Sequence, residues 1–303
     1  MSTEQAVGVI GLGAMGMGVA RSLLRAGFTV TGCDVRNEAL KEFAGHGGTP
    51  TTSPAEAGRN ASFLVIVVVN AEQTENVLFG EDGAAATLAP GSVVLACATV
   101  PSEFAIATAE RLARQDIEMI DAPISGGAVR AAAGELSVMA SGPPATFDKA
   151  KDVLDAMAET VHRLGDTVGP GSAVKTINQL LAGVHIAAGA EALALAMRMG
   201  LDPKVVYDVI CASAGSSWMF ENRMPHVLAG DYTPFSAVNI FVKDLGIVLE
   251  TGKQLTFPLP IAATAHQQYL AASGAGYGRQ DDSAVIKVYR DLGGITLPEK
   301  SED

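Results

Sequence analysis

A glycine-rich turn near the start of the chain constrains the fold more than any other feature. Gly11, Gly13 and Gly16 form the pattern GxGxxG, directly after the apolar run 7–10 and directly before the helix-compatible segment 17–26. In a strand–turn–helix unit Gly11 makes the tight turn, Gly13 lets the backbone approach a diphosphate, and Gly16 lets the helix pack closely on the strand. The N-terminus of the helix then presents N–H groups to an anion. The pattern predicts a dinucleotide-binding unit, and its alternative is an ordinary glycine-rich turn.

A carboxylate follows the next predicted strand, residues 29–33. Asp34 lies 18 residues beyond Gly16, close to the spacing at which such a carboxylate binds the adenine ribose hydroxyls. It would repel a 2′-phosphate, although Arg36 could instead receive one. The alternative role of Asp34 is a helix N-cap. We predict NAD as the cofactor, with contacts from Gly11, Leu12, Gly13, Ala14, Met15, Gly16 and Asp34.

Short apolar runs alternate with helix-like stretches from residue 6 to about residue 164. This alternation predicts an α/β fold, a doubly wound parallel sheet of the Rossmann type over residues 1–165. The continuous apolar run 64–69 is typical of a strand that is buried on both faces. The predicted strands are 7–10, 29–33, 63–69, 92–96, 118–120, 136–140 and, as a possible last strand, 161–164.

The pattern changes after this region. Residues 172–200 contain no proline and only two interior glycines, Gly183 and Gly189, so they predict one helix of roughly 40 Å. We assign residues 166–200 to a long interdomain helix and residues 201–303 to an all-helical C-terminal domain. Charged residues interrupt the apolar run 180–199, which favours a buried helix over a membrane span.

Composition excludes several classes of partner. The net charge of −12 disfavours nucleic acids and anionic membranes. The three widely spaced cysteines predict neither a disulfide framework nor a zinc site, and the five histidines have no ligand spacing, so we predict no metal. The polar N-terminus lacks the features of a signal peptide, and we expect a cytoplasmic protein.

Four blocks of sequence resemble the β-hydroxyacid dehydrogenase family, in the same order and over nearly the whole chain. The third block departs from the family in one place, because Gln179 follows Asn178 where the family usually has a second asparagine. The blocks are GVIGLGAMG at 8–16, DAPISGG at 121–127, GPGSAVKTINQ at 169–179 and KDL at 243–245.

The resemblance implies that Lys175 is the catalytic acid or base. Lys175 and Asn178 are three positions apart on the predicted helix and so project from one face. A lysine amine there can take the proton of a substrate hydroxyl during hydride transfer, and the amide of Asn178 can hold the same hydroxyl or its neighbour. Taken alone, a lysine near a helix start is more often a solvated surface cation.

The resemblance also implies a substrate site at two other blocks. Ser125, Gly126 and Gly127 follow a predicted strand end and can accept a carboxylate, although a plain β-turn is the alternative. Lys243 is expected near both nicotinamide and substrate, with a surface ion pair as its alternative. Asp244 is expected to point elsewhere and to be structural.

Further cofactor contacts are predicted at the ends of two strands. Val69 and Asn70 follow the third strand, and Thr99 follows the fourth, where it could instead cap the helix that begins near Pro101. The cluster 216–220 contains the only tryptophan of the chain. We expect this cluster to be core, with a wall of the substrate cleft as the alternative.

The expected activity is NAD-dependent oxidation of a small hydroxy acid. Residues 218–223 and 229–232 look like the branch of the family that acts on four-carbon sugar acids such as L-threonate, and Gln179 is expected to reach a hydroxyl of this longer substrate. The alternatives are 3-hydroxyisobutyrate, tartronate semialdehyde, a C=N bond, and a nucleotide-binding scaffold without catalysis. The apolar helix 172–200 predicts a homodimer or homotetramer.

Overall fold

The computed structural model describes residues 6–300. The chain divides into two compact units, Met1–Lys175 and Thr176–Asp303. The division falls inside the long helix, whereas the sequence pattern predicts a separate segment over residues 166–200. Those finer boundaries stay a prediction, and the two units are described in turn.

The N-terminal unit is built on a six-stranded sheet whose strand order is β3-β2-β1-β4-β5-β6. Every neighbouring pair is parallel, which confirms the predicted Rossmann type. The strand order reverses between β1 and β4, and ligands bind at such a switch point in open α/β sheets. The strands are β1 Ala6–Ile10, β2 Thr29–Cys33, β3 Thr49–Thr51, β4 Phe63–Ile66, β5 Val93–Ala96 and β6 Glu118–Asp121.

Helices connect these strands and cover both faces of the sheet. Val9 and Val65 belong to one buried apolar cluster, while Ile10, Leu64 and Ile66 belong to another. Side chains of one strand thus enter two cores, which explains the continuous apolar runs. The helices are α1 Ala14–Arg25, α2 Asn37–Gly45, α3 Pro54–Gly58, α4 Ala71–Phe79 and α5 Ser102–Ala113.

A second sheet of three strands follows, in the order β7-β8-β9. The runs 136–140 and 161–164, predicted as strands of the main sheet, belong here, and that part of the prediction is wrong. β8 pairs antiparallel with β7 and parallel with β9, and an isolated bridge joins Asp121 to Ser141. A buried strand has the same apolar pattern in either sheet, so the pattern does not say which one it joins. The elements are β7 Ile124–Ser125, α6 Gly127–Ala133, β8 Leu136–Ala140, α7 Pro144–Met157 and β9 Ala158–Arg163.

Within residues 176–300, the regular elements of the C-terminal unit are all helices, as predicted, and one isolated bridge joins Ala237 to Asp281. Phe241 stacks on Tyr269, and the Tyr269 hydroxyl donates to the carbonyl of Gly183 at 3.0 Å. A buried apolar cluster around them forms the second core of the chain. The helices are α8 Pro170–Arg198, which begins in the N-terminal unit, α9 Pro203–Cys211, α10 Trp218–Ala229, α11 Val238–Gln254, α12 Pro260–Ala272 and α13 Lys287–Gly293.

Helix α8 is long and apolar enough to cross a membrane by length and composition alone. A single helix of this kind is weak evidence for a membrane span, because core helices of soluble proteins have the same character. Within its most apolar window, 44% of the helix is buried against the rest of the chain.

Candidate active site

The glycine-rich turn has the geometry that its sequence predicts. Gly11 has a φ of 93°, and a Cβ there would lie 2.4 Å from the carbonyl oxygen of Val67. A Cβ on Gly16 would lie 1.8 Å from the carbonyl oxygen of Gly11, so no side chain fits at this crossing of strand and helix. A Cβ on Gly13 would meet nothing within 4 Å. The turn is therefore closed on its inner side and open at Gly13.

Helix α1 begins at this open side. Gly13 is its N-cap residue, no side chain caps the helix, and its first turn contains no acidic residue. The N–H groups of the first turn lack a side-chain acceptor and lie at the positive end of the helix dipole. Both features favour binding of a diphosphate. These features fit a bound dinucleotide.

Asp34 is hydrogen-bonded to the same turn. Its Oδ2 accepts the N–H of Leu12 at 2.8 Å, and its Oδ1 accepts the N–H of Arg36 at 2.8 Å. The Arg36 guanidinium pairs with the carboxylate at 3.1 Å and donates to the Leu12 carbonyl at 3.0 Å. Burial acts to raise the pKa of Asp34, but the hydrogen bonds from Arg36 and Leu12 outweigh it and lower the pKa. The N-cap position of α2 is occupied by Arg36, so the alternative role of Asp34 as a cap is wrong.

Of the residues predicted at the other strand ends, Asn70 caps a helix and Thr99 does not. Asn70 is the N-cap of α4 and accepts the N–H of Gln73 at 2.8 Å, while the Val69 N–H donates to the Gln73 side chain at 2.9 Å. The Asn70 side chain thus has a capping role that was not predicted from the sequence. Thr99 is partly buried and is not the N-cap of α5, where Pro101 stands.

Ser125, Gly126 and Gly127 form a junction between strand and helix. Ser125 pairs with Ser137 in the second sheet, and α6 begins at Gly127. Gly126 has a φ of 134° and Gly127 a φ of 76°, backbone conformations that residues other than glycine rarely adopt. A Cβ on Gly127 would meet nothing within 4 Å. The junction keeps its backbone accessible, and the plain β-turn is wrong.

Lys175 is buried, although a lysine at that position could have been a surface cation. Only 6% of the residue is exposed, and its Nζ donates to the carbonyl oxygen of Ile124 at 2.8 Å. Ile124 immediately precedes Ser125, so the hydrogen bond joins the second and third sequence blocks. The solvated alternative is therefore wrong.

Asp121 holds the start of the helix that carries Lys175. Its Oδ2 accepts the N–H groups of Gly169 at 3.2 Å and Ser172 at 2.7 Å, and its Oδ1 accepts the Ser172 hydroxyl at 2.7 Å. Burial raises the pKa of Asp121, and these hydrogen bonds only partly oppose the effect. This role is not predictable from the sequence, because nothing in the second block indicates partners 48 to 51 positions away.

In the helical unit, Asn178, Gln179, Lys243 and Asp244 form one connected cluster. The Asn178 amide donates to Gln179 Oε1 at 2.9 Å, and Gln179 Nε2 donates to Asp244 Oδ2 at 2.5 Å. The Lys243 Nζ lies 2.6 Å from Asp244 Oδ1, an ion pair with 21% of the lysine side chain exposed. The expected direction of Asp244 is wrong, because it faces Lys243 and Gln179, while these contacts agree with its expected structural role. Gln179 is turned toward Asp244, so the expectation that it reaches a substrate hydroxyl is wrong.

The segment 218–223 is divided between surface and core. Trp218 is 57% exposed and Phe220 is 4% exposed, so the expectation of a core cluster is wrong for the tryptophan. Arg223 is buried and its Nε donates to Asp282 at 2.7 Å. This arginine is a structural partner within the helical unit.

Within residues 6–300, no group of histidine, cysteine or acidic side chains is placed to hold a metal ion. All three cysteines are free. Burial raises the pKa of both Cys33 and Cys97 to about 12, so these thiols are protonated and unreactive at neutral pH.

Comparison with known proteins agrees with this architecture. A family model described as the NAD binding domain of 6-phosphogluconate dehydrogenase matches residues 6–165, and one described as NAD-binding of NADP-dependent 3-hydroxyisobutyrate dehydrogenase matches residues 169–289. The chain belongs to the 3-hydroxyisobutyrate dehydrogenase family. Its N-terminal unit is accordingly a nicotinamide dinucleotide-binding domain, and the family resemblance seen in the four blocks is confirmed.

Individual relatives in this family cover almost the whole chain. An L-threonate dehydrogenase of Cupriavidus necator is 60% identical over 98% of this chain and 99% of the relative. An L-threonate dehydrogenase of Escherichia coli is 54% identical over 98% of this chain and 97% of the relative. A crystal structure described as 3-hydroxyisobutyrate dehydrogenase from Salmonella typhimurium is 54% identical, covers 94% of this chain and 99% of that chain, and has a TM-score of 0.90.

Proposed function

We propose that the protein oxidises L-threonate to 2-oxo-tetronate, which is 2-dehydro-L-erythronate, with reduction of NAD⁺. The observation that carries the chemistry is the buried Lys175 amine, held at the Ile124 carbonyl beside the Ser125 junction. The similarity to proteins named L-threonate dehydrogenase supports the choice of substrate. The same fold and residues accommodate 3-hydroxyisobutyrate oxidation or tartronate semialdehyde reduction as alternatives.

Lys175 is the proposed catalytic residue. In its neutral form the amine takes the proton of the substrate hydroxyl while the carbinol C–H bond breaks and a C=O bond forms. The nicotinamide ring, when bound, supplies the acceptor for the hydride. The Ile124 carbonyl fixes the position of the amine by accepting a hydrogen bond from one of its N–H groups.

Other residues of the chain are proposed to hold the substrate. The Ser125 hydroxyl and the backbone N–H groups of Gly126 and Gly127 donate to the carboxylate, since the positive-φ backbone of the two glycines leaves N–H groups accessible. Asn178 and Lys243 hold hydroxyls. A polyhydroxylated acid needs several such groups, because each buried hydroxyl without a partner costs roughly 1 to 3 kcal/mol.

The proposed cofactor is NAD in preference to NADP. The pKa of Asp34 is lowered, so a negative charge stands beside the glycine turn, and Arg36 is already paired with it. A 2′-phosphate would face that carboxylate. Val69, Asn70, Thr99 and Lys243 are proposed as further cofactor contacts.

One assay tests substrate and cofactor together. The kcat/KM is measured for L-threonate and 3-hydroxyisobutyrate in the oxidative direction and for tartronate semialdehyde in the reductive direction, each with both dinucleotides. We expect L-threonate with NAD⁺ to be used most efficiently. Higher efficiency with 3-hydroxyisobutyrate, which lacks the extra hydroxyls, would refute the sugar-acid assignment, and equal efficiency with NADP⁺ would refute the role of Asp34.

We also propose a cytoplasmic homodimer or homotetramer without nucleic-acid or membrane partners. Ile177, Leu181 and Leu195 of α8 are 60%, 49% and 60% exposed within one chain, and self-association covers such a surface. Light scattering at micromolar concentration measures the mass. A monomer would contradict the proposal.

A further inference from the structure

The cluster in the helical unit contains a hydrogen-bonded chain whose direction is fixed at one end. A carboxylate is an acceptor only, so Gln179 must present its nitrogen to Asp244, as it does at 2.5 Å. The Gln179 oxygen then faces away from Asp244 and accepts from the amide nitrogen of Asn178 at 2.9 Å. Asn178 is left with its oxygen, Oδ1, as the acceptor that ends the chain.

Asp244 connects this chain to a cation. Its Oδ2 accepts from Gln179, and its Oδ1 lies 2.6 Å from the Lys243 Nζ. Asp244 is 1% exposed and Gln179 is 8% exposed, so both polar groups are buried where each needs a partner. Asn178 and Lys243 stand at the two ends and are the partly exposed members.

We infer that Gln179 is a positioning residue that selects the substrate by fixing the orientation of Asn178. With its oxygen presented, Asn178 accepts a hydrogen bond from a substrate hydroxyl; rotated by half a turn, the same amide would present a donor instead. The residue that the family usually has here, asparagine, is shorter by one carbon–carbon bond of roughly 1.5 Å and cannot bridge both partners. The inference rests on the proposed function, because it takes a hydroxy acid as the ligand of Asn178.

A double-mutant cycle separates this role from a structural one. Gln179→Met keeps the length of the side chain and removes both hydrogen bonds. We expect it to lower kcat/KM for L-threonate about tenfold or more, with the KM for NAD⁺ unchanged within about twofold. In an Asn178→Ala background the same substitution is expected to have almost no further effect, because the group that Gln179 orients is gone.

Matched variants complete the cycle. Gln254→Met makes the same chemical change at an exposed position of α11 and is expected to leave kcat/KM unchanged. Gln179→Asn, the usual family residue, replaces Gln179→Met if the latter does not fold, and we expect the same direction of effect. A tenfold loss that recurs in the Asn178→Ala background, or an unchanged kcat/KM in the single variant, would overturn the inference.

The result can be distinguished from failure of the proposed substrate. The coupling between Gln179 and Asn178 is calculated from the kcat/KM values of the wild-type protein, the two single variants and the double variant, all measured on the same acid. It can therefore be measured with whichever hydroxy acid the wild-type protein oxidises best. Neutron crystal structures of the wild-type protein and Gln179→Met, which locate the amide hydrogens, give a readout that needs no turnover. We expect the Asn178 amide to change orientation in the variant, and an unchanged Asn178 would contradict the inference even if L-threonate is the substrate.

Discussion

Two buried carboxylates in each compact unit are held by different kinds of partner. In the N-terminal unit, Asp34 and Asp121 accept backbone N–H groups of nearby loops, from Leu12 and from Gly169 and Ser172. The side chains of Arg36 and Ser172 add to these backbone donors. In the helical unit, Asp244 and Asp282 are held by side chains, from Gln179 and Lys243 and from Arg223.

The difference follows from the architecture of each unit. The ends of parallel strands and the starts of helices leave backbone N–H groups without partners, so a carboxylate at a sheet edge finds donors there. Within a helix the backbone groups are already paired, so a buried carboxylate such as Asp244 is held by other side chains. Asp281, at a helix N-cap of the same unit, accepts the N–H groups of Phe235 and Ser283 instead. A point substitution can therefore remove the side-chain partners of Asp244 and Asp282, whereas the backbone donors of Asp34 and Asp121 lose their acceptor only when the carboxylate itself is replaced.

The largest expected effect concerns catalysis in the N-terminal unit. Lys175→Ala removes the amine that is held by the backbone of Ile124, and we expect turnover to fall about 10²- to 10⁴-fold with NAD affinity nearly unchanged. Steady-state kinetics and NADH titration measure the two quantities. Lys151→Ala, at an exposed position of α7, serves as the control. Near-normal turnover of Lys175→Ala would reject the catalytic role.

The next effect tests the side-chain partner in the helical unit. Arg223→Met leaves Asp282, which is fully buried, without its guanidinium, and breaking such a pair costs about 3 to 5 kcal/mol. Urea unfolding is followed by the fluorescence of Trp218, the only tryptophan of the chain, which lies in this unit. Arg279→Met, at an exposed position, is the control. A cost below about 1 kcal/mol would show that backbone or water replaces the arginine, and would break the comparison.

The same pair predicts a dependence on pH. Burial raises the pKa of Asp282 to about 7, against the lowering effect of Arg223. Because this pKa lies above the unfolded value of 3.8, the folded state binds the proton more tightly, and the contribution to stability is lost as the pH rises through about 7. Without Arg223 the pKa rises further, so we expect Arg223→Met to be less destabilising at pH 5 than at pH 8. An equal or larger loss at pH 5 would contradict the assignment.

The smallest effect concerns a carboxylate that is held by backbone groups. Asp121→Ala leaves the N–H groups of Gly169 and Ser172 without their acceptor, at a cost of about 1 to 3 kcal/mol. Hydrogen exchange at these two amides is expected to accelerate, while Asp121→Asn, which keeps an oxygen acceptor, recovers part of the protection. Unchanged exchange in Asp121→Ala would show that the carboxylate does not hold the start of α8.

The sequence by itself determined the features that depend on local geometry. Glycine is required at position 11 by a positive φ, and at position 16 because a Cβ there would lie 1.8 Å from the carbonyl oxygen of Gly11. Such local requirements leave a pattern within a few positions of the sequence. The parallel sheet and the long helix were equally predictable, because burial on both faces of a strand and the absence of helix breakers are visible over short windows.

The tertiary structure decided which distant residues meet. The three-stranded sheet, the contacts of Asp121 with residues 48 to 51 positions away, and the bond between Gln179 and Asp244 across 65 positions leave no periodic signal. Gln179 shows the limit most clearly. The sequence showed that it departs from the usual family residue, but it did not predict that its side chain is turned toward Asp244. An amide can donate or accept with equal ease, so its direction depends on the buried carboxylate that folding places beside it.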